Sequence, residues 1–181
     1  MKIYLIRHGE TSWNTLGRLQ GRTDIELNEN GIRLAKITGE KLKDVHFDLA
    51  IASPLKRAYE TAGLVLGDRN IPILTDERIE EISFGEWEMK SWDELSSDPR
   101  SKAWFNDWIN IPAPSGESLQ DQYNRVSHFL DEIRRSNLQK VCLFTHGGVL
   151  ICAHVYAGKY DLKEAFRNVP SYGTVIKLEL D

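Results

Sequence analysis

Two short apolar runs, KIYLIRHG at residues 2–9 and KVCLFTHGG at 140–148, each stop abruptly at a His-Gly pair. Residues such as Ile3, Tyr4, Leu5 and Ile6 are β-prone, and a strand built from them has to be buried. A buried strand that carries Arg7 and His8 to its end makes sense only where that end needs positive charge. The repeat of the arrangement at His146 constrains the fold further. If the two strands are parallel neighbours, His8 and His146 emerge at the same sheet edge and face one another.

The rest of the chain supplies such a sheet. FDLAIASP ends at Ser53-Pro54 and leads into LKRAYETAGLVL, which reads as a helix. IPILTDERIEEI predicts a short strand beginning near Ile71, and GTVIKLEL a closing one. LNENGIRLAKITGEKLKD has Asn28 as N-cap and Ile32, Ala35 and Leu42 at helical spacing. SLQDQYNRVSHFLDEIRRS places Tyr123, Val126, Phe129, Leu130 and Ile133 along one face. GGVLICAHVYAG is apolar all round and predicts a buried helix ended by Gly158. Strands alternating with helices imply an α/β layered domain with a mostly parallel sheet, whose ligands bind beyond the carboxyl ends of the strands at a switch in strand order.

With 181 residues, the chain is expected to form one domain with a proper core. The formal charge of −4 supplies no basic field for nucleic acid, yet leaves room for a small anion held by a few local arginines. No run approaches the length of a membrane span, and the N-terminal apolar run is too short for a signal peptide, so a cytoplasmic protein is expected. Cys142 and Cys152 stand in apolar contexts and read as buried thiols in a reducing compartment. Oligomeric state is left open, a homo-oligomer included.

Several residues could do chemistry. Histidine attacks phosphorus to form a covalent intermediate, dividing one hard displacement into two easier ones. Arg7 offers a planar fork of donors for phosphate oxygens, and Gly9 permits a close backbone approach. Taken alone, a strand-end histidine bonded to backbone beside a solvated arginine accounts for the same residues. His146 is followed by Gly147 and Gly148 and then a helix, whose N-terminus favours an anion; a capping histidine is the plainer account. Lys56 and Arg57 both follow SPL, and adjacent helical residues diverge by about 100°, so only one can face the site. Hydrolysis of a phosphomonoester also needs a proton for the leaving oxygen. Asp76, Glu77, Glu80, Glu81, Glu86 and Glu88 are all candidates, most of them plain solvated charges.

LIRHGETSWN, GRLQGRTDIELNENG, SPLKRAYETA, EISFGEWE and FTHGGV occur in an order that resembles the histidine phosphatase superfamily, which includes the cofactor-dependent phosphoglycerate mutases. The resemblance spans essentially the whole chain. It implies a three-layer α/β/α fold around a mixed, mostly parallel sheet, like that of phosphoglycerate mutase. It also implies that His8 is the phosphorylated nucleophile and His146 the second, charge-stabilising histidine. Arg7 and Arg57 match the phosphate-clamping arginines, and Glu81 matches the proton donor, with Glu80 pointing away. Asn14, Gln20, Gly21 and Gly147 are implied in substrate binding. No metal or other cofactor is implied, and His46, His128 and His154 lack ligand spacing.

The resemblance favours a phosphatase over a mutase. Mutases resemble one another in an arginine after the acid glutamate, where this chain has Ile82. They carry an adjacent arginine pair where this chain has Arg100 and Lys102, and His-Gly-Asn-Ser where it has His146-Gly147-Gly148-Val149. A lid insertion at about 82–118 holds four of the five tryptophans. These either stack on a flat substrate or only glue the subdomain together. FGEWEMKSWDEL, AWFNDW and PSGES look similar to the alpha-ribazole phosphatases of cobalamin biosynthesis. The expected activity is therefore hydrolysis of a small phosphorylated metabolite, alpha-ribazole 5′-phosphate. A broad-specificity sugar or nucleotide phosphatase, a phosphoglycerate mutase and a non-catalytic phosphate-binding module are the alternatives.

Overall fold

The computed structural model describes residues 1–180, the Phe166 side chain excepted. Five strands form one sheet in the order β3-β2-β4-β1-β5, where β1 is Lys2–Arg7, β2 Leu49–Ala52, β3 Ile73–Thr75, β4 Lys140–Thr145 and β5 Val175–Glu179. β1 to β4 are mutually parallel, and β5 runs antiparallel to β1 at the edge. This is the mixed, mostly parallel sheet expected.

Side-chain alternation sorts the sheet into two faces. Tyr4, Ile6, Cys142 and Phe144 point to one side, where Ala35 and Leu42 of α2 (Glu29–Leu42) and Ala62, Val65 and Leu66 of α3 (Lys56–Leu66) cover them. Ile3, Leu5, Val141 and Leu143 point to the other, beneath Val126, Phe129 and Leu130 of α6 (Leu119–Arg134) and Leu150 and Ile151 of α7 (Gly147–Tyr156). The result is a three-layer α/β/α sandwich. Both cysteines are buried and unpaired, and burial pushes the Cys142 thiol up to about 12.

Local chemistry sets the helix boundaries. The Asn28 side chain accepts from the Gly31 amide, as its N-cap position requires. α2 buries Gly31, Ala35, Thr38 and Leu42, so Ile32 lies off the packed stripe and is exposed, contrary to expectation. α7 is fully buried only over Val149–Ala153, its last turn being half-exposed. Among the described residues, no helix is long and apolar enough to cross a membrane.

Between β3 and α6 the chain makes, besides two single 3-10 turns, the short α-helices α4 (Trp92–Ser96) and α5 (Ser101–Asn106) around a small apolar cluster. Trp87, Leu95, Trp104 and Ala113 pack there with Leu19, and Phe84 and Trp108 lie against them. α1 (Ser12–Thr15) is a single turn behind a Thr11 cap.

Candidate active site

The β1–β4 register places Arg7 opposite Thr145, so His8 and His146 leave the sheet side by side. Their ring centroids are 5.1 Å apart, with the planes tilted by 58°. α2, in the β1–β2 connection, covers one face and α7, directly after β4, the other, which is the crevice-forming switch of a parallel sheet.

His8 is buried, and its Nδ1 lies 2.5 Å from the Gly9 carbonyl oxygen. A carbonyl only accepts, so the proton sits on Nδ1 and Nε2 keeps its lone pair. Burial, followed by the charges of Arg57 and Arg7, holds this imidazole well below the ordinary histidine range. The ring is therefore neutral near pH 7, the form that can attack. His146 is lowered in the same way, by burial first and then by Arg57 and His8. Its Nε2 is 2.8 Å from the Ser53 hydroxyl, at the end of β2.

Arg7 donates to the Pro170 carbonyl and lies against the Tyr172 ring. Arg57 is buried and donates to the carbonyls of Thr23 at 2.9 Å and Gly21 at 2.6 Å. Lys56 is on the outer side of α3: its ammonium pairs with Glu26 at 3.4 Å in solvent. Of the two, Arg57 is the one that faces the cavity. Among the described residues, Arg7 Nε, Arg57 Nε and His146 Nδ1 are buried without a protein hydrogen-bond partner. Unpaired buried guanidinium N–H groups are costly to leave and suit an anionic oxygen.

Glu81 accepts from the Ile82 amide at 2.9 Å, from Gln122 Nε2 at 3.1 Å and from the Gly148 amide at 3.2 and 3.3 Å. Glu80 instead pairs with Arg22 at 3.1 Å, away from the cavity, and burial raises its carboxyl. Asp76 is clasped by Arg78 and Glu86 by Arg100.

A cavity of about 370 Å³ is lined by Arg7, His8, Arg57, Glu81, Asn14, Gln20, Gly21 and Gly147. His146 lies against it, fully buried beside His8. Asn14 and Gln20 both spend part of their bonding on Thr11. Asn14 Oδ1 accepts from the Thr11 amide at 2.9 Å, and Gln20 Nε2 donates to Thr11 Oγ1 at 2.6 Å. Gly9 serves another purpose than expected. A Cβ there would sit 2.5 Å from the Gly31 carbonyl oxygen, so its missing side chain admits the start of α2 rather than a ligand.

The tryptophans divide. Trp87 and Trp104 are buried in the small cluster, edge-to-face at 5.7 Å, and Trp87 Nε1 donates to Asp98 at 2.9 Å. Trp92 is half-exposed and lines the cavity with Leu19, Ile82, Phe84 and Tyr172. Sequence reasoning missed Ser53, Gln122 and Tyr172. Gln122 carried a visible signal, being a polar residue on the apolar stripe of α6.

The profile of the histidine phosphatase superfamily (branch 1) matches residues 3–181. Over 149 residues the chain is 36% identical to phosphoserine phosphatase 1 of Hydrogenobacter thermophilus, covering 81% of this chain and 71% of that one. Over 153 residues it is 36% identical to the adenosylcobalamin/alpha-ribazole phosphatase of Escherichia coli, covering 83% and 75%. The crystal structure of the alpha-ribazole phosphatase from Shigella flexneri superposes with a TM-score of 0.93 at 31% identity, covering 100% of this chain and 91% of that one. Paired strand-end histidines, two inward arginines and a near full-length profile match agree: the chain belongs to the histidine phosphatase superfamily and is a phosphatase of that family.

Proposed function

We propose that the protein hydrolyses phosphomonoesters through a phosphohistidine on His8, and that its substrate is alpha-ribazole 5′-phosphate. The carrying observation is the state of His8: Nδ1 is tied to the Gly9 carbonyl, and the free Nε2 belongs to a neutral ring between two arginines. Nε2 attacks phosphorus in line while the bond to the leaving oxygen breaks. Arg7, Arg57 and His146 hold the charge on the equatorial oxygens, and Glu81 gives its proton to the leaving oxygen. Water then attacks the phosphohistidine, passing a proton to Glu81 as the N–P bond breaks. Asn14, Gln20, Gly21 and Gly147 line the phosphate end.

Two features support a substrate with a flat, uncharged body. The rest of the cavity wall carries apolar side chains, among them Leu19, Ile82, Phe84 and Trp92. Arg18, the remaining cation on that wall, is engaged by Glu94 at 3.2 Å and by the Met89 carbonyl. A carboxylate-bearing substrate such as 3-phosphoglycerate would need a free cation there. Phosphoserine is the second reading, favoured by the similarity to phosphoserine phosphatase 1.

The test compares kcat/KM for alpha-ribazole 5′-phosphate, phosphoserine, 3-phosphoglycerate and a sugar phosphate, alongside rapid-quench trapping of an acid-labile adduct. Preference for the benzimidazole nucleotide and an adduct lost in His8→Ala are expected. A flat profile removes the substrate assignment, and full activity in His8→Ala removes the mechanism.

A further inference from the structure

We infer that Gln122 is a positioning residue for Glu81, anchoring Oε1 so that Oε2 is the oxygen that carries the transferable proton. The inference rests on the proposed role of Glu81 as proton donor.

α6 packs on the sheet through Leu119, Val126, Phe129, Leu130 and Ile133, and Gln122 lies on the same stripe with no exposed surface. A primary amide in that position is costly unless bonded. Its Nε2 donates to Glu81 Oε1 at 3.1 Å and reaches the Glu80 carbonyl at 3.5 Å, and its Oε1 has a long contact of 3.9 Å from the Cys152 thiol. The amide is thus turned toward the glutamate.

The two carboxylate oxygens are unequal. Oε1 receives N–H groups from Ile82, Gln122 and Gly148, whereas among the described residues Oε2 has one hydrogen bond, from the Gly148 amide at 3.3 Å. An oxygen crowded by N–H donors is a poor place for a proton, because an O–H cannot point at other donors. The neighbouring cations act elsewhere. Arg125 and Arg22 donate to the backbone carbonyl of Glu81, at 3.0 and 3.5 Å, and both pair with Glu117. Arg57 and His8 face the glutamate across the cavity, and Glu80 is held by Arg22.

Gly148 completes the arrangement. A Cβ there would lie 2.4 Å from Glu81 Oε1 and 2.5 Å from Gln122 Oε1, so a side chain at 148 would displace both. With Oε1 fixed, Oε2 gives its proton to the leaving oxygen as the P–O bond breaks and His8 Nε2 bonds to phosphorus. The same oxygen takes a proton from water as the phosphohistidine bond breaks.

The experiment measures kcat and KM for Gln122→Met, Glu81→Gln and the double variant on alpha-ribazole 5′-phosphate, a poor leaving group, and on p-nitrophenyl phosphate, a good one. Gln122→Met is expected to lose roughly 10- to 100-fold in kcat on the alkyl ester and only about threefold on the aryl ester, with KM little changed. Added to Glu81→Gln it should cost nothing more, since it acts through that carboxyl. Equal losses on both esters, or a further loss in the double variant, overturn the inference. A Glu81→Gln variant without leaving-group bias overturns the proton-donor reading and the inference together. Bias in Glu81→Gln but not in Gln122→Met overturns the inference alone. If Gln122→Met does not fold, Gly148→Ala takes its place, with the same bias expected and its absence equally decisive.

Discussion

The Arg7 guanidinium lies 4.1 Å from the centre of the Tyr172 ring, although the two residues stand near opposite ends of the chain. Backbone bonds from Arg7 to the Thr174 carbonyl, at 3.0 Å, and from Gly173 to the His8 carbonyl, at 3.3 Å, hold the two segments together. Both partners are partly buried, a setting in which a cation–π contact contributes about 1–2 kcal/mol. Tyr172→Ala is therefore predicted to lower kcat/KM on p-nitrophenyl phosphate by roughly 5- to 30-fold. Tyr172→Phe, which keeps the ring, should stay near wild type. Equal losses in both would place the effect on the hydroxyl instead.

Both site histidines have folded pKa values depressed by burial and nearby arginines. Below the ordinary value of about 6.5, the unfolded chain binds protons that the folded chain refuses, so stability falls as pH drops through that range. The denaturation midpoint is expected to decline between pH 7.5 and 5.5, less so in a His8→Asn, His146→Asn double variant. The acid limb of kcat/KM should likewise lie below 6.5, because His8 keeps its lone pair until then. An inflection at an ordinary histidine value would contradict this.

Trp87 and Trp92 should respond oppositely to alanine. Trp87 is fully buried and bonded to Asp98, so Trp87→Ala is expected to cost about 3–5 kcal/mol of stability. Trp92 is half-exposed on the cavity wall, and Trp92→Ala should leave the melting temperature nearly unchanged. Its effect should appear as a higher KM for a benzimidazole substrate but not for p-nitrophenyl phosphate. Thermal melts paired with steady-state kinetics separate the two.

Glu88 accepts from the amides of Arg22 at 2.9 Å, Thr23 at 2.8 Å and Phe84 at 3.2 Å, and from the Thr23 hydroxyl. Arg57 grips the same turn from its carbonyl side. Glu88→Ala leaves amides unpaired, a cost of about 1–3 kcal/mol. Competitive inhibition by inorganic phosphate is expected to weaken roughly 10-fold. Unchanged inhibition would show that the turn holds its shape without this carboxylate.

What the sequence made legible follows from locality. The strand-end histidines, the α2 cap at Asn28 and the buried alternation of β1 and β4 depend on neighbouring residues, and each is found in the structure. Arg57 over Lys56 and Glu81 over Glu80 needed the family resemblance, since helical spacing and composition treat each pair alike. Gly9 was misread because its constraint comes from Gly31, a distant backbone. Tyr172 and Ser53 were invisible for the same reason: each acquires its neighbour only through tertiary contact. The tryptophans show the limit of composition, which signalled an aromatic cluster but not that Trp92 alone of Trp87, Trp92 and Trp104 is half-exposed.

β1 lies between β4 and β5, the last two strands in chain order. A ribosome that has made the RHG stretch has still to deliver both of its sheet neighbours. Closing so long a loop is entropically slow and makes late assembly the expected order. A partly synthesised chain therefore carries His8 without the burial that holds its imidazole neutral until β4 and β5 have been made.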